Sequence, residues 1–283
     1  MRYFLMFFWA LVLGNAGSNC PAQVFSNDAA QREKHFIYEV KQLDEFLERF
    51  NDDRNSFIRQ VYESYKVKYN VKREDLIRSL FNYESETWDS ILLNSFVDAV
   101  LSKKQLLSFY SNQWYAEAVC VFKDGEREME IPVFLRVDAD EENRSQWLIE
   151  GIKKYHSRAP APTSAVPART SKAKFIHPAS HSNNFVVLST VFDDKENLSN
   201  YFSHEAFKSD MLNAFYTDIK GGRLKLQYVK RVKYYFLQID GWMFTVERFQ
   251  RKGLNSGWLI SHLQKISTSE KQNFHQYLSL QNQ

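Results

Sequence analysis

The sequence predicts an α+β protein made of two similar halves, each with helices packed on a bent antiparallel sheet. Each half begins with segments of helical periodicity. Each continues with strands around an Asp-Gly pair, at Asp124-Gly125 and at Asp240-Gly241, a typical hairpin signal. Each ends in a strand that contains Trp-Leu-Ile, at 147–149 and at 258–260. The matching order predicts an internal repeat.

Residues 1–22 have the pattern of a secretory signal peptide. Arg2 is followed by an apolar run over 3–13 and a small-residue exit, with a cleavage site after Ala22. The run is too short to span a bilayer, which needs about 20 residues. Lipidation at Cys20 is an alternative, but the residues before it lack the usual leucine. We therefore expect an exported protein of the periplasm or cell surface that does not span a membrane.

The composition of the mature chain restricts its class. Roughly 260 residues remain after cleavage, which is enough for one large or two small domains. A net charge of +3 is too small to favour a nucleic-acid partner. Cys120 is the single cysteine after position 22, so no internal disulfide is expected. Because it lies within a strand pattern, we interpret it as a buried apolar residue.

The first half, 23–155, is predicted to contain four helices and then three strands. The helices are expected over 31–50, from 57 onward with Asn55 or Ser56 as cap, over 75–81, and after a Thr87 cap. The strands are expected over 114–122, from 128 to 137, and over 146–152. A two-residue turn at Asp124-Gly125 would pair Cys120 with Met129.

Residues 156–174 are predicted to be a linker, because prolines lie among Ala, Ser and Thr without periodicity. The second half, 175–283, would contain helices near 183–192 and over 204–219, then strands over 223–239, 242–249 and 258–263. The first of these strands is long enough to need a bend near 229–231.

The second hairpin has an unusual pattern. A two-residue turn at Asp240-Gly241 would pair Leu237 with Phe244 and Tyr235 with Val246. Both faces would then be largely apolar, whereas an open antiparallel sheet has a polar face. We therefore expect both faces to be covered, one of them by helices.

Three phrases suggest a family. "FLERFN" (46–51), "WYAEAVCVF" (114–122) and "NSGWLI" (255–260) resemble exported tandem NTF2-like (cystatin-like cone) proteins of the Bacteroidetes type. The resemblance covers 31–155 and 175–265 and implies two NTF2-like halves. That superfamily includes isomerases, dehydratases, binding proteins and transport factors, so the fold implies no single activity. Because members commonly dimerise through the outer sheet face, we hypothesise that the halves pack sheet to sheet as an internal pseudo-dimer.

The candidate site residues form no complete motif. His177 and His181 have a spacing that could chelate zinc on a helix, but Pro178 interrupts such a helix and no third ligand appears. We expect polar contacts there, and neither a metal nor a cofactor. His262 and Glu247 lie on predicted strands and would bind a ligand if they faced a cone pocket.

The second half is locally basic. The predicted hairpin places Lys233 opposite Arg248, and like charges across a strand pair could be bridged by an anion such as a cell-envelope polymer. The alternative is a solvated sheet edge that discourages strand addition.

The function expected from these patterns is a non-enzymatic ligand-binding or protein-interaction module, whose partner is an unidentified small molecule or envelope protein. No catalytic residue can be named. The alternative is a small-molecule isomerase, dehydratase or hydrolase that uses a cone pocket.

Overall fold

The computed structural model describes residues 39–64, 66, 68–84, 86–139, 144–157, 174–251 and 256–274. The predicted signal peptide, most of the predicted linker (158–173) and the last nine residues lie outside the described residues.

The helices fall in two groups, one before each set of strands. The first group is α1 (Leu43–Asn51), α2 (Phe57–Ser64), α3 (Arg73–Ser79) and α4 (Ser90–Ser102). The second is α5 (Leu188–Asp193) and α6 (Asp210–Lys220), with short 3-10 helices at Pro178–Asn183, Leu198–Tyr201 and Glu205–Lys208. A short α7 (Thr268–Gln272) follows the last strand.

Three predicted helix boundaries were wrong. Of the predicted helix over 31–50, the part from Leu43 is helical; Val40 instead forms a β-bridge with Gly257. The cap of α4 is Asp89 rather than Thr87, because the Asp89 carboxylate accepts the free N–H groups of the first turn. The helix predicted over 204–219 is interrupted at Ser209, whose extended backbone and side chain cap α6.

The strands form one antiparallel sheet with the order β3-β2-β1-β4-β5-β6. They are β1 (Trp114–Asp124), β2 (Arg127–Ala139), β3 (Ser145–Ile152), β4 (Leu224–Phe236), β5 (Trp242–Phe249) and β6 (Gly257–Lys265). Two three-stranded meanders thus meet through β1 and β4. The predicted sheet-to-sheet packing of the halves is therefore wrong, because they join edge to edge. The predicted bend near 229–231 is confirmed as a β-bulge at Lys230.

The first hairpin does not keep the predicted pairing. Asp124 pairs with Arg127, so the turn residues are Gly125 and Glu126. Cys120 therefore lies opposite Ile131 rather than Met129, a shift of two positions. A shift of two preserves the alternation of side chains, so Ile131 takes the place predicted for Met129 on the same face of β2.

In the second hairpin, the pairing of β4 with β5 differs from the predicted pairing by one position. A shift of one position exchanges the side chains of one strand between the two faces of the sheet. Phe236, rather than Leu237, lies opposite Phe244, and five residues connect the strands. A distant side chain holds this connection open: the Gln105 amide accepts from the Asp240 N–H at 2.9 Å and donates to its carboxylate at 3.0 Å. The Leu237 N–H donates to the Gln113 carbonyl at 2.9 Å, so the end of β4 follows β1.

Each outer edge of the sheet is closed by the helical segment of the other half. On β3, the Trp147 N–H donates to Ile176 at 2.9 Å, and the Ser203 N–H donates to Ile149 at 2.9 Å. On β6, the Trp258 N–H donates to Val40 at 2.8 Å. Farther along β6, the Ile260 N–H donates to the Leu80 carbonyl at 2.7 Å, and the Asn82 N–H donates to the Ile260 carbonyl at 3.0 Å. We call these the reciprocal edge contacts.

The helix side of the sheet holds one core cluster drawn from both halves. Packing there is also reciprocal. Phe46 of α1 stacks on Phe236 of β4, with ring centroids 6.0 Å apart. Phe192 and Phe215, from α5 and α6, both contact Phe122 of β1 at 5.4 Å. Each helical group therefore packs on strands of the other half, and the halves share a core.

The opposite face, here the outer face, is partly covered. A second apolar cluster on it contains Tyr115, Phe134, Leu237, Met243, Ile266 and Phe274. Phe274 follows α7 and packs on Tyr115 and Tyr235, at 5.3 and 5.6 Å. The prediction that both faces are covered is confirmed at this end of the sheet.

Candidate functional site on the outer face

His177 and His181, whose spacing was considered for zinc chelation, have structural roles. His177 precedes a 3-10 helix, and its Nδ1 accepts the Ala179 N–H at 3.1 Å. His181 is buried: its Nδ1 lies 2.7 Å from the Pro178 carbonyl and its Nε2 lies 3.3 Å from the Asp44 carboxylate. Within the described residues, no group of three His, Cys, Asp or Glu side chains could hold a metal ion.

The contact between His181 and Asp44 joins the halves. The His181 ring also stacks on Phe109, with centroids 4.3 Å apart. The hydrogen bond from His181 lowers the pKa of Asp44, although burial opposes it, and a bond from Ser182 lowers it further. These contacts hold the start of α1 against the 3-10 helix of the second half.

Replacing Asp44 with asparagine should make the free energy of unfolding depend less on pH in the acidic range. A carboxyl whose pKa is lowered by folding stabilises the protein above its unfolded pKa of about 3.9, and that contribution is lost as pH falls through the lower folded pKa. Asp44 is 41% exposed, so the loss should be about 1 kcal/mol or less. Urea unfolding between about pH 6 and 2.5 would measure it, with Glu126→Gln as control. An equally steep acid loss in Asp44→Asn would contradict this role.

The predicted like-charge pair does not form, because of the register shift in the second hairpin. Lys233 lies opposite Glu247, and the two form an ion pair at 3.1 Å. Arg248 lies opposite Trp258. Glu247 also accepts from Ser261 at 2.7 Å, so both charged side chains on this pair have partners on the sheet. The anion site predicted at Lys233 and Arg248 therefore loses its geometric basis.

His262, the other candidate on a strand, does not face the interior between helices and sheet. His262 is exposed on β6, with its Nε2 3.2 Å from the Gln264 side chain. Among the predicted site residues, the structure brings two pairs close together. His177 caps the start of one 3-10 helix and His181 lies within it, and Lys233 and Glu247 lie opposite each other on β4 and β5.

A cleft of about 350 Å³ opens on the outer face between α7 and the first three strands. Small-molecule sites commonly have about 300–1,000 Å³, so this cleft suits a small ligand. Its walls combine two cations, two carboxylates, amides, a phenol and one apolar side chain: Asn112, Gln113, Tyr115, Arg136, Glu150, Glu205, Leu237, Lys271 and Gln272.

Arg136 is the centre of the polar wall. Its Nε donates to Glu150 at 2.8 Å, and its terminal nitrogen donates to Asp138 at 3.2 Å. Burial by itself lowers the pKa of Arg136, but the two carboxylates reverse this and raise it. Glu150 also accepts from Ser203 at 2.9 Å, which fixes the carboxylate from both sides. The guanidinium is therefore oriented before any ligand arrives.

The opposite wall depends on α7. Ser267 and Glu270 form a capping box that starts this short helix. Lys271 donates to the Ile239 carbonyl at 2.7 Å, and burial lowers its pKa. On the strand side, burial raises the pKa of Tyr115 to about 12, so its phenol stays protonated at neutral pH and can donate a hydrogen bond.

Sequence reasoning missed these cleft residues. Arg136 and Glu150 appear in the sequence as outward residues of strands, and no motif joins them. Their contact depends on the β2–β3 register, which includes a bulge after Phe134. One local signal was available: Ser267-x-x-Glu270 is a capping-box sequence and could have predicted α7.

The lining of the cleft offers hydrogen-bond donors and acceptors in fixed positions. Arg136 and Glu150 are already bonded to each other. Such an arrangement can orient a polar ligand through fixed donors and acceptors.

Within the described ranges, no helix is long and apolar enough to cross a membrane. Comparisons with protein-family models, with curated proteins and with solved structures find no match to this chain.

Proposed function

We propose that the protein is an exported, non-enzymatic binding protein of the periplasm or cell surface, and that its outer-face cleft takes a small polar ligand. The observation that carries this proposal is the cleft itself, which has about 350 Å³ and a preoriented Arg136 in its wall. Export rests on the predicted signal peptide.

The filled helix side supports an outer-face site. An NTF2-like enzyme would place its pocket between helices and sheet, but aromatic rings occupy the middle of that region here. Phe50 stacks on Phe244 with centroids 5.9 Å apart, and Phe96 contacts the same ring at 5.7 Å. Both phenylalanines are fully buried.

The ligand class follows from the cleft walls. Arg136 and Lys271 are cationic, whereas Glu150 and Glu205 are anionic, so the ligand should carry both acceptors and donors. Tyr115 adds a neutral donor. A small polar molecule or a short segment of an envelope polymer meets these requirements.

We also propose that the two halves descend from one duplicated NTF2-like unit. The strand order reads the same from either edge, and Trp147 and Trp258 each donate an N–H to the other half. The order of helices followed by a meander in each half supports this kinship.

Native mass spectrometry of mature protein from its own source should detect a small bound molecule that is lost on denaturation. Arg136→Gln should reduce ligand occupancy by about tenfold or more, since charged hydrogen bonds contribute about 1.5–3 kcal/mol. Arg248→Gln is the matched control, because Arg248 lies outside the cleft. Equal occupancy in both variants, or a mature protein without any ligand, would contradict the proposal.

A further inference from the structure

A second cleft, of about 360 Å³, lies at the opposite end of the sheet from α7. It forms where the β1–β2 turn approaches the connection from α6 to β4. Three of its six lining residues are cationic and none is acidic: Lys123, Gly125, Gly222, Arg223, Lys225 and Gln227. This excess of positive charge distinguishes it from the cleft beside Arg136.

Two of these lysines are direct neighbours across the sheet. Lys123 lies opposite Lys225 in the β1–β4 ladder. Like charges in directly opposed positions destabilise a strand pair. Burial lowers the pKa of Lys195, Asp193 opposes this, and the charge of Lys225 lowers it further. The opposed pair places two like charges side by side at this end of the sheet.

Nearby carboxylates compensate only part of this charge. Lys123 lies 3.4 Å from Glu126, whose side chain is 99% exposed, and opposite Glu128 on β2. Exposed pairs of this kind contribute at most about 1 kcal/mol and exchange readily with solvent. No ion pair of Lys225 is seen among the described residues.

Arg223 is held in a fixed orientation at the edge of the cleft. Its terminal nitrogen donates to Asp218, and also to Ser157 at 2.7 Å. The Tyr155 hydroxyl donates to the same Asp218 carboxylate. All these contacts of Arg223 are made by one terminal nitrogen, so the guanidinium is held in place at the edge of the cleft.

Two of the lining residues are glycines with a left-handed backbone. Gly125 and Gly222 have φ values of +61° and +74°, which other residues rarely adopt. A Cβ at either position would meet no atom within 4 Å. The backbone conformation, rather than a lack of space, thus explains the glycines.

We propose that this cleft binds a multiply charged oxyanion, a phosphate or sulfate group, between Lys123, Lys225 and Arg223. The group would relieve the repulsion between the opposed lysines. The sequence suggested Lys233 and Arg248 as candidates for binding an anion, whereas the cleft with three cationic lining residues lies here. The proposal does not depend on the function assigned to the Arg136 cleft.

Calorimetric titration at low ionic strength tests this with inorganic phosphate, inorganic sulfate and dextran sulfate. Lys225→Gln and Lys123→Gln should each weaken binding of the inorganic anion about tenfold. Glu126→Gln should strengthen binding, because it removes a competing carboxylate. Lys230→Gln is the matched control: it removes the same charge from β4 but lies outside the cleft and pairs with Glu130.

The outcomes are distinct. Cleft variants that weaken binding while Lys230→Gln changes it less than about twofold would support the site. Equal losses in all lysine variants would show a general charge effect and overturn it. Absence of saturable binding of either inorganic ion up to about 10 mM would also overturn it. Tighter binding of dextran sulfate than of free sulfate, still dependent on Lys225, would identify a polymer as the source of the anion.

Discussion

Replacing Gly257 with alanine should lower the free energy of unfolding by about 3 kcal/mol or more, and the melting temperature by about 6–12 °C. Gly257 has a φ of +91°, and a Cβ there would lie 2.0 Å from the Val40 carbonyl oxygen. Val40 would have to move, which would break its bonds to Trp258 and Ser256. The β6 edge would then lose the part of its cover that Val40 provides.

Gly151→Ala is the matched control for this prediction. Gly151 lies in β3, the last strand of the first half, as Gly257 lies in the last strand of the second half. A Cβ at Gly151 would meet no atom within 4 Å. Thermal unfolding of both variants, followed by circular dichroism, measures the difference. Similar melting temperatures for the two would show that Val40 does not close the β6 edge.

Removing Glu45 should have a comparable effect, of about 3–5 kcal/mol, on the free energy of unfolding. Arg49 on α1 is 1% exposed and forms an ion pair with Glu45, one turn earlier. It also donates to the Glu39 carbonyl at 3.1 Å. Glu45→Ala would remove this carboxylate from beside a buried guanidinium, and weakening the compensation of a buried charge is costly. Urea unfolding measures the loss.

Two further variants make this prediction specific. Glu45→Leu combined with Arg49→Met removes both charges and should cost less than Glu45→Ala alone, because no charge remains buried. Glu74→Ala breaks a similarly spaced but exposed pair with Arg78, and should cost about 0.5 kcal/mol. A double variant as unstable as Glu45→Ala would show that side-chain packing, rather than charge, accounts for the loss.

Much of the fold was readable from local patterns. The strands of the first hairpin were located correctly even though the turn was displaced, since a two-position shift preserves the face of each side chain. The bulge at Lys230 followed from strand length alone. The repeat of Trp147 and Trp258 predicted equivalent strands, and both occupy matching edges of the sheet.

The arrangement of the halves could not be predicted in the same way. The second hairpin register depends on Gln105, which contacts Asp240 from 135 positions away. Sequence periodicity shows that α1 has an apolar face, but not that this face packs on β4 and β5. Such contacts between distant segments also determine the candidate clefts, which is why Arg136 and Lys225 were not singled out.

The central claim is that the halves complete each other through the reciprocal edge contacts and a shared core. Near-UV circular dichroism during thermal unfolding of the separate halves, 23–155 and 175–283, and of their equimolar mixture tests it most directly. We predict that neither half alone shows a cooperative transition, and that the mixture recovers one with ordered aromatic signals. A cooperative transition in each isolated half, unchanged on mixing, would contradict the claim.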